Sequence, residues 1–155
     1  MYIHLMGMTN PLPSFPCICA SLRRASRAVT QLYEDALRPT GLRGTQFTVL
    51  QTLSLAGEVT QGQLGQILAI DSTTLTRTLN IMGRHGWIAK RRGQDRREWR
   101  MRLSKAGETQ FKQALPHWQK AQAQLRRQLG EELSNNLMQL TQNVTNALID
   151  KGESS

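Results

Sequence analysis

The segment from Asp71 to Gly86 constrains the fold of this chain more than any other stretch. Asp71 can cap the free amides at a helix N-terminus, and Gly86 is the residue type that most often follows a helix end. At about a hundred degrees per residue, the apolar side chains of this helix share one face, namely Leu75, Leu79 and Met82. The opposite face is polar and basic, and it consists of Thr73, Arg77, Asn80 and Arg84. The first face suits a core, whereas the second suits either solvent or the base edges and phosphates of a DNA groove.

Two shorter patterns flank this helix. Thr60 and Gln63 have the spacing of a capping box, which predicts a short helix over 60–68 and, with the helix after it, a helix-turn-helix. On the other side, 87–92 and 98–103 have the period of two extended strands, joined by a polar turn with charged residues. A helix-turn-helix followed directly by a basic hairpin is a winged helix.

Helical spacing also predicts long helices at both ends of the chain. Apolar residues recur in steps of three and four from Ile18 to Ala36. The same spacing continues after Ser104, with a kink expected at Pro116 and a joint between two helices at Gly130. This second run is longer than a winged domain needs to cover its own core, so we expect it to pack against a second copy of the chain.

The predicted fold is therefore mainly α: a winged helix-turn-helix, with helices plus a β-hairpin wing, and long N- and C-terminal helices that form a dimerisation domain. The first residues are assigned to an arm because Pro11, Pro13 and Pro16 interrupt any period. The predicted parts are a flexible N-terminal arm (1–16), a first dimerisation helix (17–40), the winged DNA-binding domain (41–103) and C-terminal dimerisation helices (104–150).

The charge balance favours a polyanionic partner. The 155 residues include 20 Lys and Arg against 11 Asp and Glu, which gives a net charge of +9. Between Arg84 and Lys105 nine residues are basic, and two, Asp95 and Glu98, are acidic. Because a basic patch concentrated on one hairpin is the electrostatic footprint of nucleic-acid binding, we expect double-stranded DNA to be the partner.

Other classes of protein find little support in the sequence. No run is long and apolar enough to cross a membrane, and the first sixteen residues lack the features of a signal peptide, so a cytoplasmic location is expected. Cys17 and Cys19 cannot form a disulfide framework, and no cysteine or histidine has metal-ligand spacing. Without a Gly-rich phosphate loop or a nucleophile beside a base, the chain is expected to be no enzyme and to hold no metal or cofactor.

In the order and spacing of its parts, the chain resembles the MarR (multiple antibiotic resistance regulator) family of bacterial transcription factors over residues 17–149. Asp95-Arg96-Arg97 fits the family's wing pattern of Asp, any residue, Arg, after the helix-turn-helix of 60–85. Leu103-Ser104-Lys105-Ala106-Gly107 fits the start of the family's fifth helix, and Pro39-Thr40-Gly41-Leu42 with Gln46-Phe47 fits the link between its first two helices. The resemblance implies a homodimeric regulator, most often a repressor, that binds a pseudo-palindromic operator.

The resemblance also implies which residues contact DNA. Arg97 is expected in or beside the minor groove, with Asp95 holding that arginine or the wing backbone, and Arg96 on a phosphate. The contacts expected from the helix-turn-helix are Thr60, Gln61, Ser72, Thr73, Thr74, Thr76, Arg77, Asn80 and Arg84. Arg77 is the long side chain suited to a bidentate base contact, and the start of the first helix suits a phosphate. Each of these side chains could instead be solvated or, as for Ser72, face inward.

How such a regulator would release its operator stays open in the sequence. Many relatives respond to a small, often aromatic anion bound between the winged domain and the dimer helices. The candidate lining residues here are Arg23, Arg27, Phe47 and Trp118, although aromatics at helical spacing are more often core. Some relatives are instead oxidised at a cysteine near the start of the first helix, where Cys17 and Cys19 lie. The competing interpretation is that both are ordinary small apolar residues packed at the dimer end.

The alternative function is that of a nonspecific, chromosome-organising DNA-binding protein, for which the positive charge would be sufficient. The two functions differ in the ratio of operator affinity to random-DNA affinity. A regulator needs a ratio of about a thousand or more, whereas a chromosome-organising protein discriminates little.

Overall fold

The computed structural model describes residues 16–149 and consists of six helices and three short strands in that range. The helices are α1 (Ile18–Leu37), α2 (Gly44–Ala56), α3 (Gln61–Leu68), α4 (Ser72–Arg84), α5 (Lys105–Leu129) and α6 (Glu131–Ile149). The strands are β1 (Val59–Thr60), β2 (Ile88–Arg92) and β3 (Trp99–Leu103). A single 3-10 turn, Arg38–Thr40, joins α1 to α2. The predicted arm lies outside the described residues except for Pro16.

The helix ends lie where the capping residues predict them. Asp71 Oδ1 accepts a hydrogen bond from the backbone N–H of Thr74 at 2.9 Å, and this bond holds the pKa of the Asp71 carboxyl below its usual value. At the start of α3, Thr60 Oγ1 accepts from Gln63 N at 3.0 Å while Gln63 Oε1 accepts from Thr60 N at 2.9 Å. Gly86 adopts a φ of +75° just after α4, a conformation that glycine takes without strain. The predicted bounds of the helix-turn-helix are thus confirmed.

The wing is part of a three-stranded antiparallel sheet with the order β1-β3-β2. Ile88 pairs with Leu103 at one end of the hairpin, and Arg92 pairs with Trp99 at the other. Strand β1 pairs with β3, and Val59 of β1 lies opposite Met101 of β3. The sequence predicts the hairpin but not β1, because two residues are too few for an alternating pattern.

The core confirms the two faces predicted for α4. Leu75, Leu79 and Met82 are at most 2% exposed, and they pack in one cluster with Phe47 of α2 and Met101 of β3. The residues of the opposite face are all exposed, namely Thr73, Arg77, Asn80 and Arg84. Since fully burying a large apolar side chain contributes about 1.5–3 kcal/mol relative to leaving it exposed, this core determines which face of α4 points outward.

The long helices pack side by side, with α1 against α5. Helix α5 runs without interruption through Pro116 and ends at Gly130, whose φ of +82° separates it from α6. Large apolar side chains of α6 remain between 41 and 74% exposed, namely Leu133, Met138, Leu140, Val144, Leu148 and Ile149. A mainly α fold with a winged helix-turn-helix is therefore confirmed, and α6 leaves an apolar surface uncovered in the single chain.

Candidate nucleic-acid interface

The exposed face of α4 carries most of the side chains predicted to contact DNA. Ser72, which could have faced inward, is exposed, and so is Thr76. Thr74 is exposed as well, but its hydroxyl donates to Asp71 Oδ2 at 2.7 Å, so part of its hydrogen-bonding capacity serves the helix cap. Within residues 16–149, no acidic side chain lies within salt-bridge distance of Arg77 or Arg84. Both guanidinium groups are therefore available to an external anion.

The start of α3 is tied to the middle of α4 by two of the predicted contact residues. Gln61 Nε2 donates to Thr76 Oγ1 at 3.0 Å. The Thr60 hydroxyl caps α3. The capping box that it forms with Gln63 fixes the position of the N-terminus of that helix. The polar residues of α3 and α4 thus form one surface, and the hydrogen bond from Gln61 to Thr76 fixes the position of one helix relative to the other.

The tip of the wing is closed by hydrogen bonds around Asp95. Asp95 Oδ1 accepts from the backbone N–H of Arg97 at 3.0 Å, and Asp95 O accepts from Glu98 N at 2.9 Å. Of the two roles predicted for Asp95, the structure therefore shows the one in which it holds the wing backbone. The side chains of Arg96 and Arg97 are exposed, and no described carboxylate forms a salt bridge with either.

Arg91 and Arg92, in the strand below the tip, both contact other residues of the protein. Arg91 donates to both carboxylate oxygens of Glu58, with the Nε to Oε2 distance at 3.0 Å. Arg92 lies over the Trp99 ring with its guanidinium carbon 4.1 Å from the ring centroid. Sequence reasoning missed Glu58, because a lone acid before a two-residue strand has no pattern that points to a partner 33 positions away.

A crevice of about 410 Å³ opens between α1, α2, α5 and the turn before α4. Phe47 and Trp118 line it, with their ring centroids 5.8 Å apart. Phe47 also belongs to the core, where it is 2% exposed, and Trp118 packs against that core, so their role as effector contacts stays a prediction. Arg23 and Arg27 are exposed and lie outside the lining. The only carboxylate in the lining belongs to Glu34, which accepts a hydrogen bond from Gly44 N at 2.8 Å.

The two cysteines lie at the start of α1. Cys17 immediately precedes the helix and Cys19 is in its first turn, and both are exposed and free. Both thiols are accessible in the single chain, and the alternative to a redox role, packing at the end of a dimer, stays a prediction.

Together these features define a class of protein. A helix-turn-helix whose second helix exposes hydroxyls and arginines, followed by a hairpin with unpaired arginines at its tip, is a winged helix-turn-helix of the kind that binds DNA.

Comparison with known proteins identifies the family. The sequence model of the MarR family matches residues 42–99. The transcriptional regulator MosR of M. tuberculosis, solved in complex with DNA, is 34% identical, with 85% of this chain and 98% of that one covered and a TM-score of 0.73. An uncharacterized HTH-type transcriptional regulator of Bacillus subtilis, YwoH, is 29% identical over 92 residues, 59% of this chain and 67% of that protein. A mutant MarR from E. coli complexed with operator DNA shares the fold, with a TM-score of 0.74 at 22% identity over 82% of this chain and 92% of that one.

The chain belongs to the MarR family of winged-helix transcriptional regulators, and it is a regulator of transcription and not an enzyme. No helix between residues 16 and 149 is long and apolar enough to cross a bilayer. The cytoplasmic location stays a prediction.

Proposed function

We propose that the chain acts as a homodimer that binds a pseudo-palindromic operator and represses transcription. The observation that carries this proposal is the exposed polar face of α4, whose arginines no described acid neutralises. An arginine there can donate two parallel hydrogen bonds to a guanine in the major groove, which a backbone-only binder does not need. The proposal therefore includes sequence specificity.

The proposed contacts divide by the part of the DNA that they would meet. Arg77 meets a base edge, while Arg97 at the wing tip enters or flanks the minor groove. Phosphates are met by Arg96 and by the N-terminus of α3, where free backbone amides favour an anion. The remaining proposed contacts are Thr60, Gln61, Ser72, Thr73, Thr76, Asn80 and Arg84, with Thr74 and Asp95 supporting the helix start and the wing tip.

A second copy of the chain is the proposed partner of α6. Leu133, Leu140, Val144 and Leu148 recur in steps of four and seven, so they form one exposed apolar row rather than scattered residues. Leu140→Glu is expected to convert the dimer to monomer in sedimentation, because it places a charge in that row. Gln139→Glu adds the same charge one position away and should leave the dimer intact. A monomeric wild type, or a dimeric Leu140→Glu variant, would refute this interface.

The test of sequence specificity starts from random DNA. Duplexes that the full-length protein selects from a random-sequence library are compared with scrambled duplexes of equal length at one physiological salt concentration. We expect the selected duplex to bind about a thousandfold or more tightly than the scrambled one. Equal affinity for both would refute the regulator and favour the nonspecific, chromosome-organising alternative.

A small molecule in the crevice is the first proposed means of release. The volume of the crevice lies in the range of ligand sites. Six of the residues that line the crevice are apolar, namely Val29, Leu37, Phe47, Leu68, Ile70 and Trp118. The one charged group in the lining, the Glu34 carboxylate, is paired with Arg43, whose Nε lies 3.4 Å from Glu34 Oε2. Because the described lining itself contains no cation to pair with a carboxylate, an uncharged aromatic ligand fits better than an aromatic acid. Titration of uncharged phenols against benzoates, followed by Trp fluorescence and by operator release, tests this preference.

Thiol oxidation is the second proposed means of release, and the exposure of Cys17 and Cys19 supports it. Hydrogen peroxide would oxidise two thiols to a disulfide while it is itself reduced to two molecules of water. Operator binding that peroxide abolishes and dithiothreitol restores is expected for the wild type but not for Cys17→Ser or Cys19→Ser. Release by peroxide in the doubly substituted protein would refute a role for these thiols.

A further inference from the structure

One acidic side chain contacts arginines of both long strands of the wing. Glu58, one residue before β1, receives a forked pair of hydrogen bonds from Arg91 of β2, and its Oε1 lies 3.8 Å from Arg100 Nε of β3. We propose that Glu58 is a positioning residue for operator binding, which holds the wing at a fixed angle to the helix-turn-helix and keeps these two arginines away from DNA. This inference rests on the proposed function, since it concerns how the same surface recognises an operator.

The sheet shows why one side chain can have this effect. Its strand order is β1-β3-β2, so β1 and β2 are the two edges and do not pair with each other. Arg91 is paired with Arg100, and Thr60 of β1 is paired with that same Arg100. Glu58 therefore reaches across the central strand and connects one edge of the sheet with the other.

Strand β1 needs such a connection because it is only two residues long. It leads directly into α3, whereas β2 and β3 carry the wing tip. The ladder between β1 and β3 contains two residue pairs. A forked, charge-assisted pair of hydrogen bonds adds a restraint of fixed geometry between the wing and the helix-turn-helix.

The same contacts divide the arginines of the wing into two groups. Arg91 and Arg100 share the carboxylate of Glu58, and Arg100 Nε also lies 3.6 Å from Glu98 Oε1. Arg96 and Arg97 at the tip are exposed and have no described carboxylate within salt-bridge distance. The Arg91 hydrogen bond lowers the pKa of the Glu58 carboxyl, so the acid stays ionised at neutral pH. Arg91 and Arg100 thus support the sheet, and the tip arginines are left for DNA.

The variant Glu58→Gln separates positioning from charge alone. If charge were the whole effect, removing an acid would strengthen binding to selected and scrambled DNA alike. If Glu58 positions the wing, binding to scrambled DNA becomes tighter while binding to the selected duplex becomes weaker. We expect the ratio of the two affinities to fall about tenfold or more. The salt slope on scrambled DNA should steepen by about one to two, because each released arginine neutralises a further phosphate.

Glu98→Gln is the matched control, because it removes an acid from the same wing but leaves the connection between the edge strands in place. Its two affinities should rise together, with the ratio within twofold of the wild type. Thermal unfolding of both variants establishes that each is folded at the assay temperature. A Glu58→Gln ratio equal to that of Glu98→Gln would overturn the proposal.

Amide hydrogen exchange supplies a readout that does not depend on DNA. The amides of residues 88–103 are expected to exchange faster in Glu58→Gln than in either Glu98→Gln or the wild type. If the wild type binds no duplex from the random library more tightly than scrambled DNA, the proposed function is refuted. Amide hydrogen exchange alone then tests whether Glu58 holds the wing in position. Unchanged exchange in residues 88–103 would overturn the positioning role whatever the DNA measurements give.

Discussion

Gly107 is the position at which a single methyl group should do the most damage to this fold. It is buried at the first turn of α5, and a Cβ there would lie 2.0 Å from the carbonyl oxygen of Trp87. The same oxygen accepts a hydrogen bond from Ser104 N at 3.1 Å, and Ser104 Oγ accepts from Gly107 N at 3.0 Å. In Gly107→Ala the start of α5 must therefore move away from Trp87, which lies between α4 and β2.

The expected loss of stability is the sum of two effects. Forcing an extra methyl into a packed site costs about 1–3 kcal/mol. A buried hydrogen-bonding group left without its partner costs about 1–3 kcal/mol more. A middle value of about 4 kcal/mol corresponds to a fall in Tm of about 8–16 °C for a chain of this size. Thermal unfolding followed by circular dichroism, at one fixed protein concentration because a dimer's Tm depends on it, measures the change.

Gly83→Ala is the control for this experiment. Gly83 lies inside α4, and a Cβ there would meet no atom within 4 Å. Alanine should stabilise the helix at this position by about 0.5–1 kcal/mol, since it restricts the unfolded chain without a clash. If Gly107→Ala unfolds within 2 °C of the wild type, the close approach of α5 to Trp87 is wrong.

Three further predictions concern single residues. Arg97→Ala should weaken binding to all DNA and lower the salt slope by about one, whereas Arg77→Ala should also relax the preference at one base pair; titrations of mutated duplexes at several salt concentrations measure both. The pKa of the Asp71 carboxyl is lower in the folded state, so the contribution of Asp71 to stability is present above about pH 3.9 and is lost as the pH falls through the folded pKa. Urea unfolding at several pH values should show this loss in the wild type but not in Asp71→Asn. Ala69→Gly should raise the urea midpoint, because Ala69 has a φ of +51° and the relief of about 1–2 kcal/mol of strain exceeds the added freedom of the unfolded chain.

The parts of the fold that the sequence predicts well are those determined by neighbouring residues. The helix bounds around Asp71 and Gly86 depend on contacts within four positions, and so does the capping box of Thr60 and Gln63. The buried and exposed faces of α4 follow from helical periodicity in the same way. Local signals of this kind need no knowledge of the tertiary structure.

The parts that the sequence did not predict depend on residues far apart in the chain. Strand β1 forms because Val59 meets Met101, 42 positions later, and its own two residues carry no period. The pairing of Glu58 with Arg91 is equally distant. Helical spacing placed Arg23 and Arg27 on the polar face of α1, but the crevice is lined by residues between 29 and 37, further along the same helix than both arginines. The sequence period shows which face of a helix a residue is on. Which turn of that helix borders a crevice depends instead on how the neighbouring helices cross it.

Among the described residues, hydrogen bonds join the long helices to the winged domain at both of its ends. Glu34 of α1 caps α2 through Gly44 N, and Ser104 donates to the carbonyl of Gly86. Gln110 of α5 also donates to Thr40 O, at 2.8 Å, in the turn that leads from α1 into the winged domain. The crevice touches the first of these joints directly, since both Glu34 and Gly44 line it.

The cysteines lie at the other end of α1, about 25 Å from Glu34 at 1.5 Å per residue. A ligand in the crevice can therefore change the joint between α1 and α2 within one chain. Among residues 16–149, no hydrogen bond joins either cysteine side chain to the winged domain, so oxidation at Cys17 or Cys19 would have to work by changing how the whole of α1 packs. The two proposed means of release thus differ in what they would move: a ligand would change the angle of one winged domain to its own helices, whereas oxidation would change the arrangement of the two chains in the proposed dimer.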